Sequence, residues 1–204
     1  MDRLHLGRSL IPYLLAFSLL CGSDALADSP TEEVKSTVDQ VIKILTDPRY
    51  KGEANQQERR KLLRDTISPR FDFHEMAKRS LGVEWGRRTP EEQREFVKMF
   101  AAFLEKASVQ NIESYNNERF IYIGEGINGP YAEVNGKIIG QEGEETRINY
   151  MLHRIGSEWK VYDLIVNGIS FVSNYRSQFN RVIRDSSYEG LVRRLKEKLA
   201  DKKG

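Results

Sequence analysis

The sequence predicts an α+β fold, with about six helices packed on a strongly bent antiparallel sheet of about four strands. Three observations carry this. Apolar residues recur at helical spacing up to Asn117, alternate at strand spacing from Arg119 to Asn167, and return to helical spacing beyond. Thr89-Pro90-Glu91-Glu92 is a capping box with proline at the first helical position, the clearest helix start in the chain. The four β-rich runs are split by Gly, Pro and Asn with short connections, as in a meander.

Residues 1–27 read as an export signal and stand apart from the folding argument. Arg3 and Arg8 supply the positive start, and Leu10 to Leu20 forms an apolar run shorter than the roughly 20 residues of a permanent anchor. Ala25-Leu26-Ala27 places small residues at a processing site, so the mature chain is expected to begin at Asp28. Lipidation of Cys21 is the rival, but Leu20 is larger than the small residue such a signal carries there. With Cys21 removed the exported chain has no thiol to pair, and its core must hold the fold. Residues 28–204 suit a single domain. The formal net charge is +2, too balanced for a general nucleic-acid binder, although the last helix is locally basic at Arg193, Arg194, Lys196 and Lys198.

The elements follow in order. Val34, Val38, Val41, Ile42 and Leu45 form a helical stripe after Ser29-Pro30, ended by Asp47-Pro48. A more polar helix covers 53–67 until Ser68-Pro69 interrupts, and a third covers 71–81, closed by Gly82. After the capping box a long helix runs to about Tyr115 with Phe96, Met99, Phe100, Phe103 and Leu104 on one broad face. Strands are expected over 119–125, 131–140, 145–156 and 158–168, the last running on into two closing helices with a second capping box from Ser186 to Glu189.

No chemical constellation survives inspection. Gly124 to Gly129 fits the glycine pattern of dinucleotide sites, but Pro130 and another strand follow instead of a helix N-terminus, so the glycines are expected to serve a hairpin turn. His74-Glu75 begins like a zinc-protease helix, yet Lys78 stands where the second histidine belongs. No P-loop or activated serine is visible, and neither a cofactor nor a metal is expected. His153 with Asp163 would form a catalytic pair only if neighbouring strands brought them together.

The strands are apolar on both sides. Strict alternation puts Trp159, Val161 and Ile165 on one face of the last strand and Tyr162, Leu164 and Val166 on the other. Likewise Phe120 and Tyr122 oppose Ile121 and Ile123, while Ile148, Tyr150 and Leu152 are backed by Met151. Small antiparallel sheets ordinarily wet one face. Either helices cover both faces, or the bent sheet wraps the helix carrying Phe96 to Leu104 and leaves an apolar cavity for a ligand with long hydrocarbon parts.

Several stretches carry a family resemblance. Phe71-Asp72-Phe73 with Met76-Ala77, Leu81-Gly82 and Trp85, and then Tyr162-Asp163 leading to Gly168-Ile169-Ser170 and Asn174-Tyr175-Arg176, resemble the MlaC-type periplasmic phospholipid-binding proteins of the toluene-tolerance family. The resemblance spans nearly all of residues 28–204, with Phe171 standing where Leu or Met is expected. It implies a non-enzymatic lipid-binding domain in the periplasm, holding phospholipid acyl chains in an apolar pocket. It also implies a shuttle between an outer-membrane lipoprotein complex and an inner-membrane ABC lipid transporter, a route that bears on outer-membrane lipid asymmetry. An acyl chain with about 15 methylenes, at about 0.8 kcal/mol each, costs about 12 kcal/mol to expose, which a carrier must nearly offset.

On that reading Phe96, Phe100 and Phe103 are expected to line the pocket from the long helix, with Tyr150, Leu152, Tyr162, Leu164 and Val166 from the sheet. Plain core packing is the alternative for each. Arg176 is expected either to meet a phosphate near the mouth or to pair with Asp163 at the strand-to-helix corner. The rival function is a small isomerase-like enzyme with Asp163 as base in an apolar pocket, recognisable by a buried carboxylate without a partner. A ligand-free adaptor is a third, and its mark would be a pocket filled by side chains.

Overall fold

The structure is a computed structural model that describes residues 29–201; the expected export signal over 1–27 lies outside them. Helix α1, Pro30–Thr46, starts where Ser29 accepts the Glu32 amide and stops at Asp47. Helix α2, Gln56–Ile67, gives way to a tight turn over Ser68–Arg70. Asp72 caps α3, Phe73–Leu81, by accepting the Glu75 amide, and Gly82 closes it at φ +58°. At that positive φ a side chain is strained. The expected capping box forms at α4, Pro90–Glu113, with Glu92 N donating to Thr89 Oγ1 and Thr89 N donating to Glu92 Oε2.

Strands β1, Arg119–Asn128, β2, Tyr131–Ile139, β3, Glu145–Ile155, and β4, Glu158–Val166, follow in an antiparallel meander. A fifth strand, β5, Ile169–Ser170, was not anticipated. Asn167 and Gly168 both adopt positive φ and turn the chain back on β4, as an Asn-Gly hairpin does. Among the described residues the open sheet therefore has five strands in sequence order, with five α-helices, against the four strands and six helices expected. The last two expected helices form one element, α5, Phe171–Ala200, broken at Ser187, where φ is +69°. The glycine-rich stretch also differs from expectation: Gly124 and Gly126 lie within β1, and Gly129 makes the turn.

Two β-bulges set the sheet's shape. Ile123 is the extra residue on β1 and Tyr162 the extra residue on β4, each unmatched on its partner strand. A bulge bends its strand and reverses the alternation beyond it. Opposed residues share a face, so Val161, opposite Leu152, and Leu164, opposite Tyr150, lie on the same face, and strict alternation fails for β4.

Two cores result. Val34 of α1 is buried with Ala132, Val134, Tyr150, Leu152, Trp159 and Val161 on one face of the sheet. Met76, Ala77, Leu81, Phe96, Phe100 and Phe179 sit in a second core between α3, α4 and α5. The sheet does not wrap α4: that helix packs closely on α3 and α5. Nor is the sheet apolar on both sides throughout. Its outer face carries a polar cluster, with Asn149 donating to both Glu133 and Asn135, and Ile121 and Ile123 are exposed on the free edge strand.

Candidate functional site

Where the two cores meet, packing is incomplete. Phe71 touches both cores and bridges to Val161 beside β4, while Asp72 N donates to the Val161 carbonyl. Around it lies a cleft of about 70 Å³ lined by Phe71, Met76, Leu104, Leu164 and Phe171, with Ile67 and Phe73 at its end. The lining comes from five elements, so no local pattern announces it. One signal was available: Phe71 and Met76 hold the two positions of a hydrophobic staple around the Asp72 cap.

Ile67, Phe73 and Glu105 also line a wider cavity of about 570 Å³ between α2, α4 and the end of α5. That volume lies within the roughly 300–1,000 Å³ of small-molecule sites. This vestibule is apolar at Leu63, Ile67 and Ile112 and cationic at Arg60, Arg64 and Lys106. Its two walls meet through long side chains. Arg59 and Arg60 clasp Glu113 at 2.8 and 2.9 Å, and Arg64 reaches Glu105 at 3.1 Å, while Ser68 Oγ donates to the other oxygen of Glu105. Lys106 Nζ donates to the carbonyls of Lys198 and Asp201 at the end of α5. Burial raises the Glu113 carboxyl, but hydrogen bonds and charge from Arg60 and Arg59 outweigh that and hold it below the ordinary value.

Of the residues expected at the pocket, Leu164 lines the cleft. Phe96 and Phe100 are fully buried against Phe179, with ring centroids 5.8 and 5.5 Å away, and Phe103 meets Tyr175 at 5.6 Å. The aromatic stripe of α4 thus faces α5; helical spacing shows a face but not its partner. Tyr150 and Leu152 pack under α1 in the sheet core, and Val166 stands opposite Ile148. Tyr162, the bulge residue, stays on the outer face while Leu164 turns inward; it lies beneath the Arg79 guanidinium at 4.2 Å and beside His153. Phe171, noted above for its departure from the family pattern, does line the cleft.

The candidate catalytic groups have structural partners. Asp163 is 8 % exposed and accepts hydrogen bonds from Ser170 Oγ at 2.5 Å and Val172 N at 3.0 Å. It lines neither cavity, and His153 pairs instead with Asp72 at 2.9 Å. Arg176 does not pair with Asp163. It donates to Ser173 Oγ and lies over Gly82, where an added Cβ would meet its Cδ at 3.3 Å. The carboxylate turns back to the first turn of α5, and Arg176 emerges one turn further on.

Comparison with known proteins agrees with the architecture. The family model described as MlaC protein matches residues 35–197. Toluene tolerance protein ttg2D of Pseudomonas putida is 29% identical over 176 residues, covering 85% of this chain and 80% of that protein. The intermembrane phospholipid transport system binding protein MlaC of Haemophilus influenzae is 19% identical over 194 residues, covering 93% and 91% respectively. A phospholipid-binding protein from Ralstonia solanacearum, solved in complex with a phospholipid, superimposes with a TM-score of 0.75 at 27% identity, over 85% of this chain and 98% of that one.

Proposed function

Since this chain belongs to the MlaC protein family, we propose that it is a phospholipid carrier whose acyl chains enter the seam between its two cores. The observation that carries this is the apolar cleft at Phe71, Leu104, Leu164 and Phe171, which shares Ile67, Phe73 and Glu105 with a vestibule of about 570 Å³. A relative of the same fold was solved holding a phospholipid. At about 70 Å³ the cleft is narrow, so hydrocarbon must part α2 from α4 to be seated. The α2–α4 wall is suited to this, because ion pairs hold it where α3 and α5 hold α4 by packed side chains. Once the seam opens, Phe103, Tyr150, Leu152 and Val166 are the next apolar walls, backed by Phe96 and Phe100; Tyr162, on the outer face, would guard the rim with Arg79.

The carrier acts in the periplasm after removal of residues 1–27. It receives and delivers phospholipid between an outer-membrane lipoprotein complex and an inner-membrane ABC transporter; the Haemophilus relative is named as the binding protein of an intermembrane phospholipid transport system. We read it as a carrier and not an enzyme, a reading supported by Asp163, the candidate base, which accepts hydrogen bonds from Ser170 Oγ and the Val172 amide and lines neither the cleft nor the vestibule.

Protein purified without detergent should carry phospholipid, detected by native mass spectrometry and identified after organic extraction. Protein that arrives lipid-free and refuses added lipid would overturn the reading.

A further inference from the structure

We infer that Arg64 and Glu105 form a latch on the vestibule that a phosphate monoanion opens: the lipid's own headgroup takes Arg64 from Glu105 and so admits the acyl chains. This rests on the carrier reading above. Glu105 lines both the vestibule and the apolar cleft, so its carboxylate stands between the place where a headgroup rests and the place where a chain must go. It is held there by Arg64 Nε at 3.1 Å and Ser68 Oγ at 3.0 Å.

The other two vestibule cations are committed. Arg60 shares Glu113 with Arg59, and Lys106 neutralises the carbonyl end of α5. Arg64 has Glu105 as its ion-pair partner among the described residues, and its side chain is 56 % exposed. Such an exposed pair contributes little, and Glu105 meets Arg64 through one oxygen while Ser68 holds the other, whereas a phosphate has two free oxygens to offer the guanidinium as a bidentate partner. Exchange of partners is therefore favourable for a phospholipid. A diacylglycerol with the same chains has no anion to offer, and for it the ion pair remains across the way in.

The test uses delipidated full-length mature protein and two detergent-dispersed lipids with identical chains, phosphatidylglycerol and diacylglycerol, with bound lipid counted by native mass spectrometry. Wild type should take phosphatidylglycerol at least about tenfold more readily, the equivalent of one charge-assisted hydrogen bond. Arg64→Gln should lose that preference, Arg64→Lys should recover part of it, and Glu105→Gln should raise diacylglycerol uptake. Arg184→Gln, exposed on α5 and outside both cavities, serves as the control. Full preference retained in Arg64→Gln overturns the latch while the carrier reading stands. Uptake of neither lipid by wild type overturns both. Inorganic phosphate alone should fail to protect the vestibule; if it saturates the protein and blocks phosphatidylglycerol uptake, Arg64 reads free phosphate and the headgroup assignment falls.

Discussion

The carboxylate of Asp163 on β4 accepts the backbone N–H of Val172 at 3.0 Å, so the sheet's fourth strand caps the helix that leaves it. Ser170 adds a second tie, donating to the same carboxylate and accepting the Ser173 amide. The acid is thereby a hinge pin for α5. Asp163→Ala strands a buried N–H and removes the cap, and should cost about 1–3 kcal/mol by urea denaturation. Protein that remains folded should still co-purify with phospholipid; loss of lipid at unchanged stability would restore the carboxylate to the site.

Filling the cleft should separate binding from folding. Leu164→Trp places a larger side chain between Phe71, Met76 and Phe171. Bound phospholipid per protein should fall severalfold, with a stability cost near the about 1–3 kcal/mol of an overpacked site. Undiminished lipid in this variant would place the chains elsewhere.

Phe100→Ala should do the reverse. Its ring is buried against Tyr175 and Phe179 with centroids 5.5 Å away, so truncation leaves a cavity between α4 and α5. A loss of about 3–5 kcal/mol is expected in thermal or urea unfolding. Where the protein remains folded, the chain lengths of the bound lipid should be unaltered.

Acid should loosen the α2–α4 seam. Glu113 is held below the ordinary carboxylate range by Arg60 and Arg59 against the opposing effect of burial, so its stabilisation is present at neutral pH and is lost as pH falls through its lowered folded-state value. Wild type should lose stability below about pH 4, the unperturbed carboxylate region. Glu113→Gln, measured by urea unfolding at neutral and acid pH, should be less stable than wild type at neutrality and show a smaller acid-induced loss.

Tyr122 offers a complementary test of the sheet core. Burial pushes its phenol up to about 12, and its hydroxyl has no hydrogen-bond partner among the described residues. Tyr122→Phe removes a desolvated polar atom and should be neutral or stabilising in urea unfolding, because an unsatisfied buried group is a cost. The wild-type tyrosinate absorbance should retain one late-titrating step that the variant lacks.

Local chemistry was legible along the chain. Ser29, Thr89 with Glu92, and Gly82 start and stop helices as expected, because caps and turns involve atoms only a few residues apart. The meander was legible for the same reason, its strands being joined by short turns. The family resemblance at Phe71 to Phe73 and Tyr162 to Arg176 likewise pointed to the right class of protein.

Partnership between distant elements was not legible. One extra residue at Tyr162 reverses the alternation of β4 beyond it, bringing Leu164 to the face of Val161 and leaving Tyr162 on the other, and nothing in the pattern marks that position. The stripe of Phe96, Phe100 and Phe103 shows which side of α4 is apolar but is silent on whether sheet or α5 covers it, since any apolar surface would satisfy it. The cleft, the vestibule and the Arg64–Glu105 pair arise where α2, α3, α4, β4 and α5 converge. Hydrophobic attraction has no direction, so composition sets how much surface is hidden, and the three-dimensional arrangement of the elements sets where hiding is left incomplete.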